Sequence, residues 1–479
     1  MKKNYIYNLL ISIVNILFPI LSFPYASRIL GSVGIGKVQI VSSFAIYFSL
    51  IAALGIPIYG IQAVAKVRHN RKELSKVFSE LIIIHFVMSI IVSVVYVFII
   101  SFFSFFAANI QLYYYSVLIV IMGFTSVDWF YIGLEEFRII SVRAVVVKIA
   151  ALIFLFFFVK NLQDVRMYLF IFLFSILGNN FISFALINKS TSFIYKNINI
   201  KKHLRPLIFI FATNIATSMY MILDSVILGF LSTESAVGLY TASVKLTKIS
   251  VPFITSLGVI LLPNLSKGFN DNNQTQVQGL LNKSFLYISF FSIPIAMGLY
   301  VLAPEFIYVF SGMKFLNAIP CMQILSLLPV FIGFGYFFSI QILVPLGKNK
   351  EIFYSVVVGM LIGFALNFLF VPRMNEKGAA IANVTCEAIV TILYYYFIKK
   401  EYSFHYDWGL LLKSLLSSLF FIPIVLSVRS LNLNELFTLS ISIVICSLSY
   451  FMAQYYFFKN QLILKIIVWL RIKITQIKN

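Results

Sequence analysis

Fourteen apolar stretches of about 18–25 residues fill nearly the whole chain, and the gaps between them are short. A bilayer core about 30 Å thick needs about 20 apolar residues per helix. Such a pattern allows few folds. In hydrocarbon every backbone N–H and C=O must be satisfied internally, so segments of this length cross as helices. Composition agrees. Of 479 residues 61% are hydrophobic and 11% charged, too little polar surface for a soluble chain of this size. The net charge of +21 would point to nucleic acid in a soluble protein. Here the positive charges gather in alternate short loops, the signature of cytoplasmic loops, so no nucleic-acid partner is expected. Cys321, Cys386 and Cys446 each sit inside an apolar stretch and form no readable disulfide or metal pair. The first apolar run is too long for the core of a cleavable signal and lacks a small-residue cleavage site.

The expected helices are 5–27, 39–62, 80–103, 113–133, 140–159, 167–188, 206–230, 240–263, 282–303, 319–345, 352–371, 378–398, 409–428 and 436–457. With the N-terminus inside, 27 Lys and Arg fall on inside segments and 8 on outside loops, with Lys245 and Lys248 left within a helix. Arg138, Arg143 and Lys148 are counted inside. That split places both termini of a multi-pass membrane protein in the cytoplasm.

The chain repeats itself weakly at a spacing of about 200 residues. Asn15 matches Asn214, Ile29-Leu30-Gly31 matches Ile227-Leu228-Gly229, Gly36 matches Gly238, and Leu54-Gly55 matches Leu257-Gly258. Six helices separate the copies, an even number, so both enter the membrane in the same sense. This predicts an all-α membrane protein of two parallel-related six-helix bundles, residues 1–200 and 201–400. Residues 401–479 add two further helices and a basic cytoplasmic tail.

No P-loop, metal-ligand cluster or nucleophile elbow occurs, so no catalytic residue, metal or cofactor is expected. Polar residues instead form single stripes. These are Asn8, Ser12, Asn15 and Ser22; Asn214, Thr217, Met221 and Asp224; Thr241, Lys245, Lys248 and Pro252; and Asn383, Glu387 and Thr391. Spacings of three, four and seven put each set on one helix face. Ser and Asn stripes serve equally well for packing between helices. The ionised groups carry more weight, because a charge at a helix centre costs about 2.5–3.5 kcal/mol on insertion scales. Asp224, Lys248 and Glu387 all lie deep, while Lys245 can snorkel. An Asp224–Lys248 ion pair and a solvated cavity lined by these groups both answer that cost.

These residues also resemble a known family. The opening Asn15-x3-Pro19-x4-Pro24-Tyr25-x2-Arg28-Ile29-Leu30-Gly31-x2-Gly34-x-Gly36 is similar to the start of bacterial polysaccharide-repeat flippases of the Wzx type. So are Leu54-Gly55-Ile56-Pro57-x-Tyr59-Gly60 and Asp224-x3-Leu228-Gly229. The likeness continues through Val237-Gly238-Leu239-Tyr240-x4-Lys245-Leu246 and Asn367-x4-Pro372-x5-Gly378-Ala379-Ala380 to Glu387. It covers roughly residues 1–400. The resemblance implies the multidrug/oligosaccharidyl-lipid/polysaccharide exporter fold, with two six-helix lobes around a central cavity. It also implies passage of an undecaprenyl-diphosphate-linked oligosaccharide from the inner to the outer leaflet of the bacterial plasma membrane.

A lipid diphosphate needs cations in a low-dielectric site, and Arg28, Lys245 and Lys248 are available. Asn15, Asn214, Tyr25 and Tyr59 suit sugars. Asp224 and Glu387 suit coupling to H+ or Na+. Expected partners are the lipid-linked oligosaccharide, membrane lipids, and the polysaccharide polymerase with its chain-length machinery. Two alternatives stand beside this reading. A cation-coupled multidrug exporter of the same fold would line its cavity with acids rather than lysines. A membrane polymerase or ligase would need a sizeable external loop, which the chain lacks.

Overall fold

The computed structural model describes residues 2–187, 191–195, 198–402 and 406–460, without side chains for 2–6, 8, 9, 12, 212–223 and 401. Among the described residues every regular element is helical. Eleven runs are long and apolar enough to cross a membrane. Two of them, Ile13–Val67 and Asn349–Lys400, are double-length and each takes in two of the expected segments. The chain is a multi-pass membrane protein. It divides into two compact units, Met1–Gly238 and Leu239–Asn479.

The first unit opens with α1 (Lys2–Ala53), which holds a non-helical residue, Gly31 (φ 67°, ψ −178°). A straight helix of 52 residues would be about 78 Å long, more than twice the hydrocarbon thickness. The chain therefore reverses at Gly31, and the contacts show it. Against α6 (Phe137–Phe158), Ser141 Oγ donates to the Tyr7 carbonyl at 2.8 Å, Lys148 donates to Asn15, and Tyr25 Oη donates to the Val159 carbonyl at 3.0 Å. These pairings advance together, so the first half of α1 runs parallel to α6. Beyond Gly31 the second half of α1 and α2 (Ile56–Val67) run antiparallel to α3 (Arg71–Phe102). Phe44 packs on Tyr96, late in α3, while Gly60, in α2, lies against Trp129, which stacks on Phe78, early in α3. Positive φ with extended ψ is open to glycine at little cost.

Residues expected as one helix over 113–133 are broken instead into α4 (Ile110–Ile121), a 3₁₀ turn and the short α5 (Asp128–Gly133). The unit continues through α7 (Val165–Leu186) and α8 (Lys201–Leu231). Helix α6 shows how a lipid-facing helix sorts its residues. Val142, Val146, Ile149 and Ile153 are exposed, each by about half, while Ile140, Arg143, Val147, Ala151 and Leu155 are buried on the opposite face.

In the second unit the expected helix over 240–263 is also broken. Helix α9 (Glu234–Lys248) ends, and α10 (Val251–Asn270) restarts with Pro252 in its first turn. Next come α11 (Gln274–Val301), α12 (Ala303–Ser311), α13 (Ile319–Leu325) and α14 (Leu328–Phe338). Helix α15 (Asn349–Glu401) is a second hairpin, broken at Asn375 (φ 50°, ψ −126°). Gly359 faces Val390, Gly363 faces Cys386 and Gly378 faces Phe370, pairings that converge on the break.

The last helices, α16 (Trp408–Leu419), α17 (Phe421–Arg429) and α18 (Glu435–Tyr456), are fastened by buried polar clasps. Tyr450 Oη donates to the Phe290 carbonyl at 2.7 Å. Arg429 grips the buried Glu305 through two oxygens (2.6 and 2.9 Å) and donates to the Val301 carbonyl at 2.8 Å.

These contacts set the outcome of substitutions in the purified protein. Gly31→Ala forces an L-residue into a glycine-only conformation, a cost of about 1–3 kcal/mol, and lowers the melting temperature. Gly279→Ala, at a position with open space around its Cα, leaves it unchanged or higher. Arg429→Gln strands the Glu305 carboxylate and costs about 3 kcal/mol, and adding Glu305→Gln recovers most of that loss.

Candidate functional site

The first unit holds three polar groups at different depths. At the end carrying the basic loops, Glu80 is fully buried. It accepts from the Asn199 amide at 2.8 Å, and Lys202 Nζ and His203 Nε2 each lie 2.8 Å away. His203 Nδ1 is 2.7 Å from Tyr59 Oη. An Nε2–H donated to Glu80 leaves Nδ1 as the acceptor for the Tyr59 hydroxyl. The Tyr59 hydroxyl is thus spent on tying α2 to the start of α8. Deeper in, Arg143 pairs with Asp128 and donates to the Asn179 carbonyl, locking α6 to α5 and α7.

At mid-height lies the third group. Lys148 is the twelfth of 22 residues in α6 and half-buried, with its ammonium on Asn15 and 5.5 Å from the Phe18 ring centre. The count of Lys148, and of the buried Arg143, as cytoplasmic loop charges is therefore corrected. Both fall inside the expected helix 140–159, which was the available signal. Removing both leaves the charge split strongly one-sided.

Asn15 is exposed and engaged by Lys148. Tyr25 spends its hydroxyl on the end of α6 and its ring on Phe156. Arg28 is exposed, three residues before the Gly31 reversal. Asp224 is buried in α8, and the Asn214 side chain lies outside the described residues.

In the second unit Lys245 and Lys248 occupy the last turn of α9, at the break before α10. Carbonyls left open at a helix C-terminus favour cations, which holds two lysines at this depth. Both are half-buried, and among the described residues Lys248 makes no ion pair. Ser243 Oγ donates to the Ala318 carbonyl (3.2 Å) and Thr391 Oγ1 to the Phe331 carbonyl (3.0 Å), so both helices line the same 313–343 run. Asn383 Nδ2 donates to Tyr240 Oη at 3.1 Å. Those registers bring half-buried Glu387, one turn beyond Asn383, to a depth similar to that of the lysines.

Beside the break opens an apolar groove of about 410 Å³, lined by Leu246, Ile249 and Phe253 and, across it, Phe291, Leu299 and Phe451. The sequence stripes indicated the lysines but not the groove, whose far wall comes from α11 and α18. Among the described residues no group of three His, Cys, Asp or Glu is gathered to hold a metal.

Residues 1–269, more than half the chain, match the family described as "Polysaccharide biosynthesis protein". The chain belongs to that family. Among its relatives is the "Putative O-antigen transporter" of Shigella dysenteriae, 24% identical over 411 residues, covering 82% of this chain and 98% of the relative. The fold is shared with the lipid II flippase MurJ in an inward closed conformation (TM-score 0.76, 18% identity, 96% and 100% coverage). It is also shared with an inward-facing multidrug transporter of the MATE family and MOP superfamily (TM-score 0.61, 15% identity, 81% and 96% coverage). Family membership and fold both agree with the resemblance carried by the Asn15–Gly36 and Leu54–Gly60 motifs.

The depth and partners of each charge predict different failures in this family member. Glu80→Ala leaves buried donors without an acceptor and reduces folded yield and melting temperature, by about 3 kcal/mol of stability. Lys148→Met keeps the stem packing and leaves yield near wild type. Both are read by detergent-solubilised yield and thermal unfolding.

Proposed function

We propose that this family member is a flippase, not an enzyme. It carries an undecaprenyl-diphosphate-linked oligosaccharide from the cytoplasmic to the outer leaflet by alternating access. The observation that carries this reading is the Lys248 break beside the apolar groove. A fixed cation next to a greasy channel matches a ligand with a charged diphosphate on a polyprenyl chain. In low dielectric a diphosphate without a cation would cost several kcal/mol to desolvate. Lys245 and Lys248 supply the charge, and the groove takes part of the chain.

The names of the relatives support the same substrate class, including the "Putative O-antigen transporter" with its near full-length match. Lysines rather than carboxylates at the break disfavour export of cationic drugs. In the first unit Arg28, Asn15, Asn214, Tyr25 and Tyr59 are proposed, separately, as contacts for the same substrate.

The membrane potential favours outward movement of the anion, by about 2.3 kcal/mol per charge per 100 mV. Asp224 and Glu387 add coupling to H+ or Na+, since a coupling ion shifts the equilibrium only if it binds the two states differently. Both termini are cytoplasmic. The chain is organised as repeat-related bundles 1–200 and 201–400 with the appended pair 401–479. Polymerase and chain-length machinery take the product.

A deletion strain loses surface polysaccharide while lipid-linked units accumulate on the cytoplasmic leaflet. Altered polymer length with single-unit export intact would instead mark a polymerase. In that strain Lys248→Ala abolishes export at near-normal protein level, and Lys248→Arg retains part of it because charge survives while geometry changes. Export by Lys248→Ala at the wild-type rate would remove the cation from the mechanism. Glu387→Gln exports slowly with a weakened dependence on a proton or sodium gradient. Unchanged rate and gradient dependence would make Glu387 structural.

A further inference from the structure

At the end of the first unit opposite its basic loops lies a second cavity, of about 570 Å³. It is a different kind of space from the apolar groove. Lys37 from the second half of α1, Asn109 and Gln111 at the start of α4, and Gln163 and Arg166 at the start of α7 all line it. No Asp or Glu is among its described lining residues. Its volume falls within the range of small-molecule pockets, about 300–1,000 Å³. Lys37 and Arg166 are two of the few cations on the side that the positive-inside rule keeps lean, and the flippase mechanism leaves both unused. The turn bearing Gln163 and Arg166 is braced. Asp164 accepts from the Lys160 and Asn161 amides, both at 2.8 Å, and these bonds hold its carboxyl below the usual carboxylate range.

We propose that this cavity binds an oxyanion carried on a hydroxyl-rich group, and that the bound oxyanion competes with Glu234 for Lys37 and Asn109. The chemistry of the lining sets the ligand class. A guanidinium fork and an ammonium take a carboxylate or phosphate oxygen pair. Asn and Gln amides, each both donor and acceptor, match sugar or glycerol hydroxyls. Two sources share that chemistry: an acidic sugar of the transported unit and the headgroup of phosphatidylglycerol.

The competition follows from contacts within the same unit. Glu234 accepts from Asn109 Nδ2 through one oxygen, and its other oxygen is 3.7 Å from Lys37 Nζ. Both members of that ion pair are about one-third exposed, so it is readily exchanged. Glu234 also sits in a tight contact between 232–238 and the second half of α1. Ser32 Oγ and Ser235 Oγ are 2.7 Å apart, a Cβ on Gly36 would collide with the Glu234 carbonyl, and one on Gly238 would collide with that of Ser32. An anion that takes Lys37 and Asn109 loosens Glu234 from this contact. Occupancy of the cavity is thereby coupled to the glycine-mediated packing. The inference rests on the proposed orientation only for which leaflet the ligand comes from.

The test uses the full chain in phosphatidylcholine nanodiscs, titrated with a glucuronate–glucose disaccharide and with cellobiose as the neutral counterpart. The acidic sugar binds about tenfold tighter than the neutral one or better, and Lys37→Gln/Arg166→Gln removes that preference. Glu234→Gln, which removes the competitor, tightens binding several-fold, a gain that no folding defect produces. Disulfide formation in a Ser32→Cys/Ser235→Cys protein falls as the acidic sugar saturates. If that cross-link falls instead in phosphatidylglycerol discs without sugar, and Lys37→Gln/Arg166→Gln restores it, the occupant is a lipid headgroup and the site stands. Equal binding of acidic and neutral sugars, together with no effect of the double variant in either disc, overturns the proposal. Lys248→Ala separates this result from the flippase reading, because it loses export while anion binding at Lys37 is unchanged.

Discussion

The absence of water in the bilayer core governs everything else in this protein. A backbone amide left open there costs several kcal/mol, so the chain can cross only as helix and can break only where protein covers the break. The helices break at Gly31, Asn375 and residues 249–250, and the breaks serve two purposes. The first two reverse the chain between helices that would otherwise be far longer than the membrane is thick. The third leaves the helix carbonyl end of α9 at depth, where two lysines complement it. Fold and candidate site are thus answers to the same constraint.

Charges at depth divide by what holds them. Glu80, Arg143 and Glu305 are buried and gripped by partners from other helices, so they fasten elements together. Each would be expensive alone, and each is expensive to break for that reason. Lys148, Lys245, Lys248 and Glu387 are half-buried instead. A half-buried cation keeps some hydration and can exchange its neighbours for a ligand. The distinction lies in exposure, not in residue type. The apolar groove opens at the same break through Leu246 and Ile249, which neighbour the two lysines in sequence and offer a surface suited to hydrocarbon.

Much of this was legible from residue order alone. Apolar runs and loop charge predicted helices wherever spans are found, and the Gly31 and Gly36 motifs carried the family resemblance. The repeat pairing of Gly36 with Gly238 was read as an echo between halves, and the two glycines prove to meet within one packed contact. Other expectations were silent on the matter that decides them. Tyr25 and Tyr59 were singled out as sugar contacts, and their hydroxyls turn out to be engaged by Val159 and His203. Helices expected to be continuous over 113–133 and 240–263 are broken, because hydropathy averages over a Pro or Gly that backbone geometry does not.

What the sequence determined by itself was one-dimensional: helix length against bilayer thickness, the face on which a polar stripe falls, and the side on which basic loops lie. These depend on neighbours within a few turns, and periodicity reports them faithfully. Only the tertiary structure decided which charge has a partner. The contacts that fix this join residues more than a hundred positions apart, as with Tyr59 and His203, Asn15 and Lys148, and Glu305 and Arg429. No local pattern encodes such a register. It is set by how helices pack once the bilayer has confined them, and that packing turns a lysine in an apolar run into a clasp, a ligand site or a lipid-facing cost.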